Sequence, residues 1–567
     1  MKMNASLINL FQKAYIGIFI CLILFRSIEC PAQKPVQFKV NMKKPIEVGL
    51  LSPSENDSVI IRGSFNGWSG KNYVLADPDK NGIYENIFTI KSDSGTVQEY
   101  KYCIMKPNGL VLWEKHPDKN NPPNGNRFLD TSHVKTDTFD MDRYHLGLVG
   151  QEISFSEEEI KSDFEQFRRI LEEEHCCLYE YTGKQEFDRL FDSQYDLLTR
   201  SMSPIEYYKI LTPITAKIGC GHTAVWMPGS FWDSGKNNLF PLKIRIIEDH
   251  VVVAGHYTDT TSVEKGCVLL EINGVNITEI IQEMRENYSA DAMNLHFINS
   301  QIERRFPLIY ARRFGFLDKF QIKFIQPDKT EPETKELLPA SVSSVRSDVF
   351  SNFQHPPLQM DLVENNIALL KIPTFIYYDR VPCFTSFIDS CFEVIKEKNI
   401  ENLVLDLRGN DGGDPFCAAP LFSYLQKRPV PYFAEPYGKY VDLANPLPLP
   451  KNHFTGNLYT LINGRCFSTN GHFCSLLSYH KIGLFIGSES GATYKCNAGK
   501  NTEIHLENTD ILLTFGRSTF AAAVNGMDKT KPIIPDYPVK ITYQDFLEGK
   551  DVFMETALDL IRHEKGI

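Results

Sequence analysis

Three short stretches of the chain contain the side chains and glycines that nucleophilic catalysis requires. The first, "RCFSTNGHF", places Ser468 just before a helical spacing of apolar residues at Phe473, Leu476 and Leu477. A serine in front of a helix is most often an N-cap, whose side-chain oxygen accepts a backbone N–H. For Ser468 to be a nucleophile, other parts of the chain must supply a base and donors for an oxyanion.

The second stretch, "NLVLDLRGNDGGDPF", is an apolar strand followed by a glycine-rich loop and a helix that begins at Pro415. Glycines let several backbone N–H groups point into one concavity, which suits an anion. The spacing fits neither a P-loop nor a dinucleotide-binding G-x-G-x-x-G motif. The loop therefore suits a transient oxyanion, held by the amide of Gly412 or Gly413 together with the amide of Thr469.

The third stretch, "GCGHTAVW", places His222 after a helical segment. A single histidine near a turn is usually structural, so His222 gains significance only from the order histidine, glycine loop, serine. A neutral imidazole can accept a hydroxyl proton near pH 7. His472, one helical turn after Ser468, is a second possible base, although a position on the helix surface is the simpler interpretation.

The composition of the chain excludes several classes of protein. Its 567 residues are 42% hydrophobic and 23% charged, as in an ordinary globular protein of several domains. The net charge is −11 and there is no basic stripe, so nucleic acid is not an expected partner. The 13 cysteines lack C-x-x-C pairs and no H-E-x-x-H motif occurs, so we expect no metal and no cofactor.

Residues 1–32 have the features of a secretory signal peptide. Lys2 and Lys13 precede an apolar run at residues 14–25, and the small residue Ala32 follows it. This run is shorter than the roughly 20 residues that span a bilayer. We therefore expect a secreted or periplasmic protein with no transmembrane helix in the mature chain. A lipid-modified Cys30 is an alternative that the preceding Glu29 disfavours.

Residues 36–142 are expected to form an all-β module. Short runs such as "SVIIRG" and "EYKYCIM" alternate with turn clusters such as "NPPNGN". The motifs "RGSFNGW", "EYKYCI" and "LWEKHPDKNNPPNGNR" resemble the starch-binding-like β-sandwich modules. That resemblance implies a glycan partner that stacks on Trp113. Alternatively, Trp68 and Trp113 are structural aromatic residues.

The rest of the chain divides into three predicted parts. Residues 150–230 are predicted to be a helical cap, with a capping box at Ser156 and a helix start at Ser203. Residues 238–340 are predicted to form short strands with one helix, and "GCVLLEING" resembles a PDZ-like domain, a module that docks extended peptides. Residues 355–567 alternate strands and helices, which predicts an α/β domain.

Taken in order, the motifs resemble the tail-specific, or C-terminal processing, serine peptidases, and within them the branch related to the tricorn core. The likeness covers about residues 150–567 and rests on "KIGCGHTAV", "NLVLDLRGNDGG", "INGRCFSTNGHF", "IGSESG", "IIPDYPV" and "GKDVFMETALDLI". It implies a multidomain α/β fold with a helical cap, a PDZ-like domain and a crotonase-like ββα core. It also implies an exported serine endopeptidase that cleaves extended peptides or protein tails.

The family resembled here uses one of two bases. In one version a lysine follows a G-x-x-x-x-G-K segment, but here Gly491 is followed by Ala492, and Lys495 is displaced. In the other version a histidine of the helical cap is the base, and "GCGHT" puts His222 in that place. The resemblance therefore implies Ser468 as nucleophile and His222 as base.

The chain also departs from the pattern of this family. Gly221 stands where the tricorn branch has a serine. The third catalytic residue of that branch lies shortly before "PD", where Asp528 is the nearest acid and Glu489 is a rival. The segment "STNGH" leaves Asn470 and His472 without a role. These departures favour an alternative, a non-catalytic peptide- or glycan-binding protein on the same scaffold.

Overall fold

The computed structural model describes residues 32–47, 49–92, 97–114, 126–130, 142–143, 154–234, 238–258, 263–350, 357–364 and 366–564. Residues 1–31 of the predicted signal peptide, including Cys30, lie outside these residues, and Ala32 is the first described residue. The chain divides into two compact units, Met1–Leu148 and Val149–Ile567. Within the described ranges, no helix has the length and apolar character needed to cross a membrane.

The first unit contains two β-sheets that share one hydrophobic core. Its elements are β1 (Ala32–Asn41), α1 (Lys43–Glu47), β2 (Ser58–Gly63), β3 (Val74–Leu75), β4 (Ile83–Ser92), β5 (Val97–Met105), β6 (Val111–Trp113), β7 (Arg127–Asp130) and β8 (Asp142–Arg143). The strand orders are β4-β1-β8 and β3-β2-β5-β6, with β7 also on β5. Alternate residues of β1, Phe38 and Val40, face the core, as do Ile61 and Ile104. The predicted β-rich character is confirmed.

Two tryptophans lie close together in this unit. Trp113, at the end of β6, is 40% exposed, and its ring centroid lies 6.3 Å from that of Trp68. The Arg62 guanidinium lies over the Trp113 ring at 5.3 Å. This packing suits a structural pair as well as a sugar platform, so a glycan partner stays a prediction.

The second unit begins with three helices, in the region that was predicted to be a helical cap. They are α2 (Glu157–Glu174), α3 (Lys184–Tyr195) and α4 (Pro204–Lys217). Ser156 and Glu159 form the predicted capping box of α2, and Ser203 caps α4 in the same way. After α4 the chain turns at Gly219 and enters β9 (Ala224–Trp226), and His222 lies in this short connection.

A six-stranded sheet follows, with the order β10-β11-β12-β14-β15 and β13 on β12. Its strands and the helices around them are α5 (Gly229–Ser234), β10 (Leu242–Ile247), β11 (His250–His256), β12 (Val268–Ile272), β13 (Val275–Asn276), α6 (Ile277–Glu286), α7 (Leu295–Phe314), β14 (Phe320–Ile325), β15 (Glu333–Leu337) and α8 (Val342–Val349). The prediction of one helix here was wrong. Helix α7 is buried on several sides, so its sequence has no clear apolar stripe, and Pro307 interrupts the helical pattern.

The C-terminal part is an α/β domain, as predicted. Its elements are β16 (Gln359–Glu364), β17 (Ile367–Lys371), α9 (Val381–Glu397), β18 (Asn402–Asp406), α10 (Pro415–Leu425), β19 (Asn457–Ile462), α11 (Thr469–Tyr479), β20 (Leu484–Gly487), β21 (Lys495–His505), β22 (Leu512–Ala521), β23 (Tyr537–Pro538), α12 (Tyr543–Glu548) and α13 (Val552–Glu564). Strands β17 to β20 are parallel neighbours in the sheet β16-β17-β18-β19-β20-β23. The carboxyl ends of β18 and β19 therefore meet at one edge of the sheet.

A small antiparallel sheet, β21-β22-β9, joins the helical region to this domain. Ala224 of β9 pairs with Thr514 of β22, and the Trp226 indole N–H donates to the Thr514 hydroxyl at 3.0 Å. This pairing fixes the segment that carries His222 against the α/β domain.

Candidate active site

Ser468 lies at the start of helix α11 but does not cap it. Its side chain makes no capping hydrogen bond, and its backbone has φ 56° and ψ −126°. Positive φ is unfavourable for a residue with a Cβ and costs roughly 1–3 kcal/mol, which the surrounding structure must offset. The N-cap interpretation is therefore wrong, and the strained turn directs the Ser468 hydroxyl away from the helix end.

The glycine loop after β18 packs directly against this turn. A Cβ on Gly412 would lie 2.8 Å from Ser468 Cβ and 2.7 Å from the Phe467 carbonyl oxygen. The Thr469 hydroxyl donates to the Gly413 carbonyl at 2.6 Å. The buried Asn470 amide donates to the carbonyls of Leu407 and Asn410, at 3.3 and 3.0 Å. Asn470, left without a role by the sequence, thus ties the helix to the loop.

His222 reaches Ser468 from a position 246 residues earlier in the chain. Its Nε2 lies 3.2 Å from Ser468 Oγ, within hydrogen-bonding distance. The imidazole stacks on Phe467, with ring centroids 4.6 Å apart and an interplanar angle of 20°. Burial lowers the pKa of His222 to about 4, so the ring is neutral at pH 7 and can accept a proton.

Asp291 is the acid beside His222, and the sequence did not indicate it. One of its carboxylate oxygens lies within 4.8 Å of a ring nitrogen of His222. The Gly221 N–H donates to Asp291 Oδ1 at 2.8 Å, whereas Oδ2 is buried with no hydrogen-bond partner. A Cβ on Gly221 would meet the Phe467 ring at 2.6 Å, which explains why glycine replaces the serine of the resembled branch.

The structure does not bring the two predicted acids to His222. Asp528 is exposed, and its carboxylate accepts from Thr530 and lies 3.8 Å from Lys531 Nζ. Glu489 lies 3.9 Å from His296 on the surface. Among the described residues, no hydrogen bond joins Asp528 or Glu489 to the histidine. Asp291 replaces both as the candidate third residue.

The two other candidate bases, Lys495 and His472, have neighbours different from those of His222. Lys495 forms an ion pair with the buried Glu180, and although burial lowers the pKa of Lys495, this carboxylate more than offsets the effect and the pKa is raised. His472 is 1% exposed and packs edge-on against Phe433 at 5.5 Å, so the expectation of a surface histidine was wrong. Neither side chain is hydrogen-bonded to Ser468 in the described part of the chain.

Cys496 is a further neighbour that sequence motifs did not reveal. Its Sγ lies 3.7 Å from Ser468 Oγ and 3.6 Å from each ring nitrogen of His222. Burial raises the pKa of this thiol well above its usual value, so it stays protonated and packs against the pair. Cys220, His222 and Asp291 have a metal-like spacing, but His222 and Asp291 already have protein partners, and we assign no metal here.

The central part of the C-terminal domain matches the model of a known protein family. Residues 366–539 match the model of peptidase family S41. They are an S41 peptidase domain. This range contains the glycine loop and Ser468, whereas His222 and Asp291 precede it. Because S41 is a family of serine proteases, the chain carries a serine peptidase domain, and the resemblance to serine peptidases is confirmed, whereas the resemblance of residues 36–142 to starch-binding modules stays a prediction.

Comparison with solved structures finds chains with a similar fold. Mature CPAF in complex with lactacystin has a TM-score of 0.51 at 14% identity, over 71% of this chain and 97% of CPAF. A CPAF mutant has a TM-score of 0.51 at 12% identity, over 69% and 94%. The photosystem II D1 C-terminal processing protease has a TM-score of 0.38 at 14% identity, over 67% and 93%. At these identities the CPAF likeness shows the fold alone. No curated protein matches the chain significantly.

The S41 domain and the preceding helices enclose a cavity of about 350 Å³ at Ser468. His222, Gly412 and Gly413 line it together with aromatic side chains such as Trp226. The volume suits a few side chains of a bound peptide.

Substitution of Gly412 tests how closely the loop must approach the serine. In Gly412→Ala, the added methyl would crowd Ser468 and Phe467 at a φ of +100°, so we expect peptide hydrolysis to fall by about 10²-fold or more. Gly526→Ala is a matched control, because its φ is +76° but nothing lies within 4 Å of its Cβ position. Equal kcat/KM losses in the two variants would contradict the close approach.

Proposed function

We propose that the chain is an exported serine endopeptidase in which Ser468 is the nucleophile and His222 is the general base. This proposal rests on one observation, the 3.2 Å contact between Ser468 Oγ, in the S41 peptidase domain, and His222 Nε2. A neutral imidazole at this distance can accept the hydroxyl proton as the serine attacks a carbonyl carbon.

The geometry supports a two-step reaction. Ser468 Oγ forms a bond to the carbonyl carbon while its proton moves to His222 Nε2. The imidazolium then donates this proton to the leaving amine nitrogen as the peptide bond breaks, and an acyl-enzyme forms. A water molecule, activated by the same nitrogen, hydrolyses the ester and regenerates Ser468.

The amides of Gly413 and Thr469 are the best-placed donors for the oxyanion. The Gly412 N–H is already donated to Asn410 Oδ1 at 2.9 Å, which favours Gly413 of the two predicted glycines. The Gly412 carbonyl accepts from Phe375, so the trans peptide turns the Gly413 N–H to the opposite side. Among the described residues, neither the Gly413 nor the Thr469 N–H has a protein acceptor, and both stay free for substrate.

Asp291 is proposed as the positioning residue for His222. Burial raises the pKa of Asp291, the Gly221 N–H opposes this rise and the nearby Glu180 carboxylate adds to it, so that the pKa is about 7. As the pH increases through about 7, Asp291 becomes a carboxylate beside the imidazole. An ionised Asp291 stabilises the imidazolium that forms in the transition state, so activity should rise over the same interval.

Asp291→Asn separates this role from a structural one. We expect kcat/KM to fall by about 10²-fold at pH 8, because the imidazolium loses its carboxylate. The rise near pH 7 should disappear, leaving only the ionisation of His222 near its pKa of about 4. A merely structural Asp291 would instead give a lower thermal midpoint with an unchanged pH profile.

Digestion of a mixed pool of unstructured peptides, followed by mass spectrometry, tests the proposed function. Fragments that appear with the wild type and not with a Ser468→Ala sample would support a serine endopeptidase. A pool that stays intact with purified wild type at every pH from 5 to 9 would contradict it. Export is tested separately, by N-terminal sequencing of the secreted chain for cleavage after about residue 32.

A further inference from the structure

One wall of the active-site cavity is a stripe of helix α7. Phe297, Gln301, Arg305 and Arg312 of this helix all line the cavity that contains Ser468. Their spacing follows the helical repeat, so the side chains project from one face. The helix departs from helical geometry at Arg305, with φ −118° and ψ 16°, two residues before Pro307.

Arg305 has donor capacity that the protein does not use. Among the described residues, its buried Nε has no hydrogen-bond partner, and the hydrogen bond of Nη1 is a long one, 3.4 Å to the Tyr288 hydroxyl. The guanidinium also lies 5.8 Å from the Phe350 ring centroid. Gln301 contributes a second unused group, since its buried Oε1 has no hydrogen-bond partner in the described part of the chain. Buried polar atoms without partners are costly, so their retention beside a catalytic serine points to a ligand.

Arg312 is a second cation on the same wall. It is 6% exposed, its Nε donates to the Leu308 carbonyl at 3.2 Å, and its guanidinium lies over Trp226 at 5.4 Å. In the described part of the chain, no carboxylate lies within salt-bridge distance of Arg305 or Arg312. A buried arginine is rarely left without an anion.

The acid that lines the cavity is engaged elsewhere. Asp411 Oδ2 accepts from Arg304 Nη1 at 2.5 Å and from Arg465 Nη2 at 2.6 Å, and Oδ1 accepts from Arg465 Nε at 3.1 Å. Its carboxylate therefore cannot also pair closely with Arg305 or Arg312. The wall presents positive charge, framed by aromatic side chains.

We propose that this wall selects peptide substrates through their carboxylates, which pair with Arg305 and Arg312 while the scissile carbonyl lies at Ser468. This inference rests on the proposed peptidase function and names its substrate class, acidic peptides. Seven residues of helix separate the two arginines by about 10 Å, at about 1.5 Å per residue. An extended peptide covers that distance in about three residues, at about 3.3 Å each. Two acidic side chains about three positions apart therefore suit the wall.

Matched peptides test the proposal on the full chain. The peptide cleaved fastest in the pool is resynthesised with Glu or Gln at each position within four residues of the cleaved bond. Each version is made with a free or an amidated C-terminus. For wild type we expect kcat/KM to be at least about tenfold higher with Glu than with Gln at one or more positions. Arg305→Gln and Arg312→Gln should each reduce this ratio, mainly by raising KM for the Glu peptide.

Arg169→Gln is the control variant, because Arg169 is an exposed residue of α2 outside the cavity. It should keep the wild-type ratio. If the wild type prefers peptides with a free C-terminus and does not distinguish Glu from Gln, the arginine wall would be supported. Its ligand would then be the terminal carboxylate of the peptide. Equal rates for Glu and Gln peptides and for free and amidated termini in the wild type would overturn the proposal, whatever the variants do.

Failure of the peptidase function would be distinguishable from failure of this inference. If no peptide is cleaved, binding of fluorescent Glu and Gln peptides to the Ser468→Ala protein tests the wall alone. Tighter binding of the Glu peptide, weakened by salt, would support it. Equal binding would overturn it.

Discussion

Replacement of Ser468 by alanine should reduce peptide hydrolysis by about 10³-fold or more and leave the fold intact. The substitution removes only the hydroxyl group, whose oxygen forms the covalent bond in the proposed reaction. Because the Ser468 side chain makes no capping hydrogen bond, helix α11 loses no cap. The measurement is kcat/KM on a peptide that the wild type cleaves, together with the thermal midpoint of each protein.

Ser478→Ala is the matched control for this substitution. Ser478 lies on the same helix, nearly three turns beyond the active site, and we expect it to keep the wild-type rate. Retention of wild-type activity by purified Ser468→Ala would show that another residue is the nucleophile.

His222→Ala should produce a loss of similar size, about 10³-fold or more, because the serine and the histidine act as one unit. Without an acceptor at 3.2 Å, the Ser468 hydroxyl stays protonated during attack. Phe467 loses its stacking partner, so a small decrease in the thermal midpoint should accompany the loss of activity.

The rival bases provide the comparison for His222. Lys495→Gln and His472→Gln should keep activity within about tenfold of wild type when corrected for the folded fraction, since among the described residues neither side chain is hydrogen-bonded to Ser468. Lys495→Gln should lower the thermal midpoint, because the Glu180 side chain is buried and, among the described residues, would keep only Lys529 as an ion-pair partner. If His222→Ala were active and Lys495→Gln inactive, the base would be the lysine.

The proposed pair Ser468–His222 and the glycine loop could be predicted from the sequence because short, contiguous motifs encode them. An apolar strand followed by "RGNDGG" predicts the glycine loop, and a serine at a strand-to-helix turn predicts the candidate nucleophile. Capping residues such as Ser156 and Ser203 marked helix starts through local hydrogen bonds. Interactions between near neighbours in the chain leave a readable pattern.

The surroundings of the pair were not accessible, because they arise from tertiary contacts. Asp291 lies in a turn between α6 and α7 with no motif around it, and only packing brings it to His222. Cys496 joins the pair through the β21-β22-β9 sheet, in which β9 is far from β21 and β22 in the chain. The two cavity arginines lie on α7, a helix that the apolar pattern did not reveal. For Asp528, proximity to a motif was misleading, because its loop places it in solvent.

The Ser468–His222 mechanism is tested most directly by labelling the protein with a serine-directed fluorophosphonate. The position of the adduct is then found by peptide mapping. The probe reacts with a hydroxyl only where a base activates it, so it reports the pair independently of the substrate. We expect one adduct, on Ser468, which His222→Ala abolishes and Lys495→Gln leaves unchanged. Absence of an adduct on Ser468 in a sample that cleaves peptides, or equal labelling in His222→Ala, would contradict the Ser468–His222 mechanism.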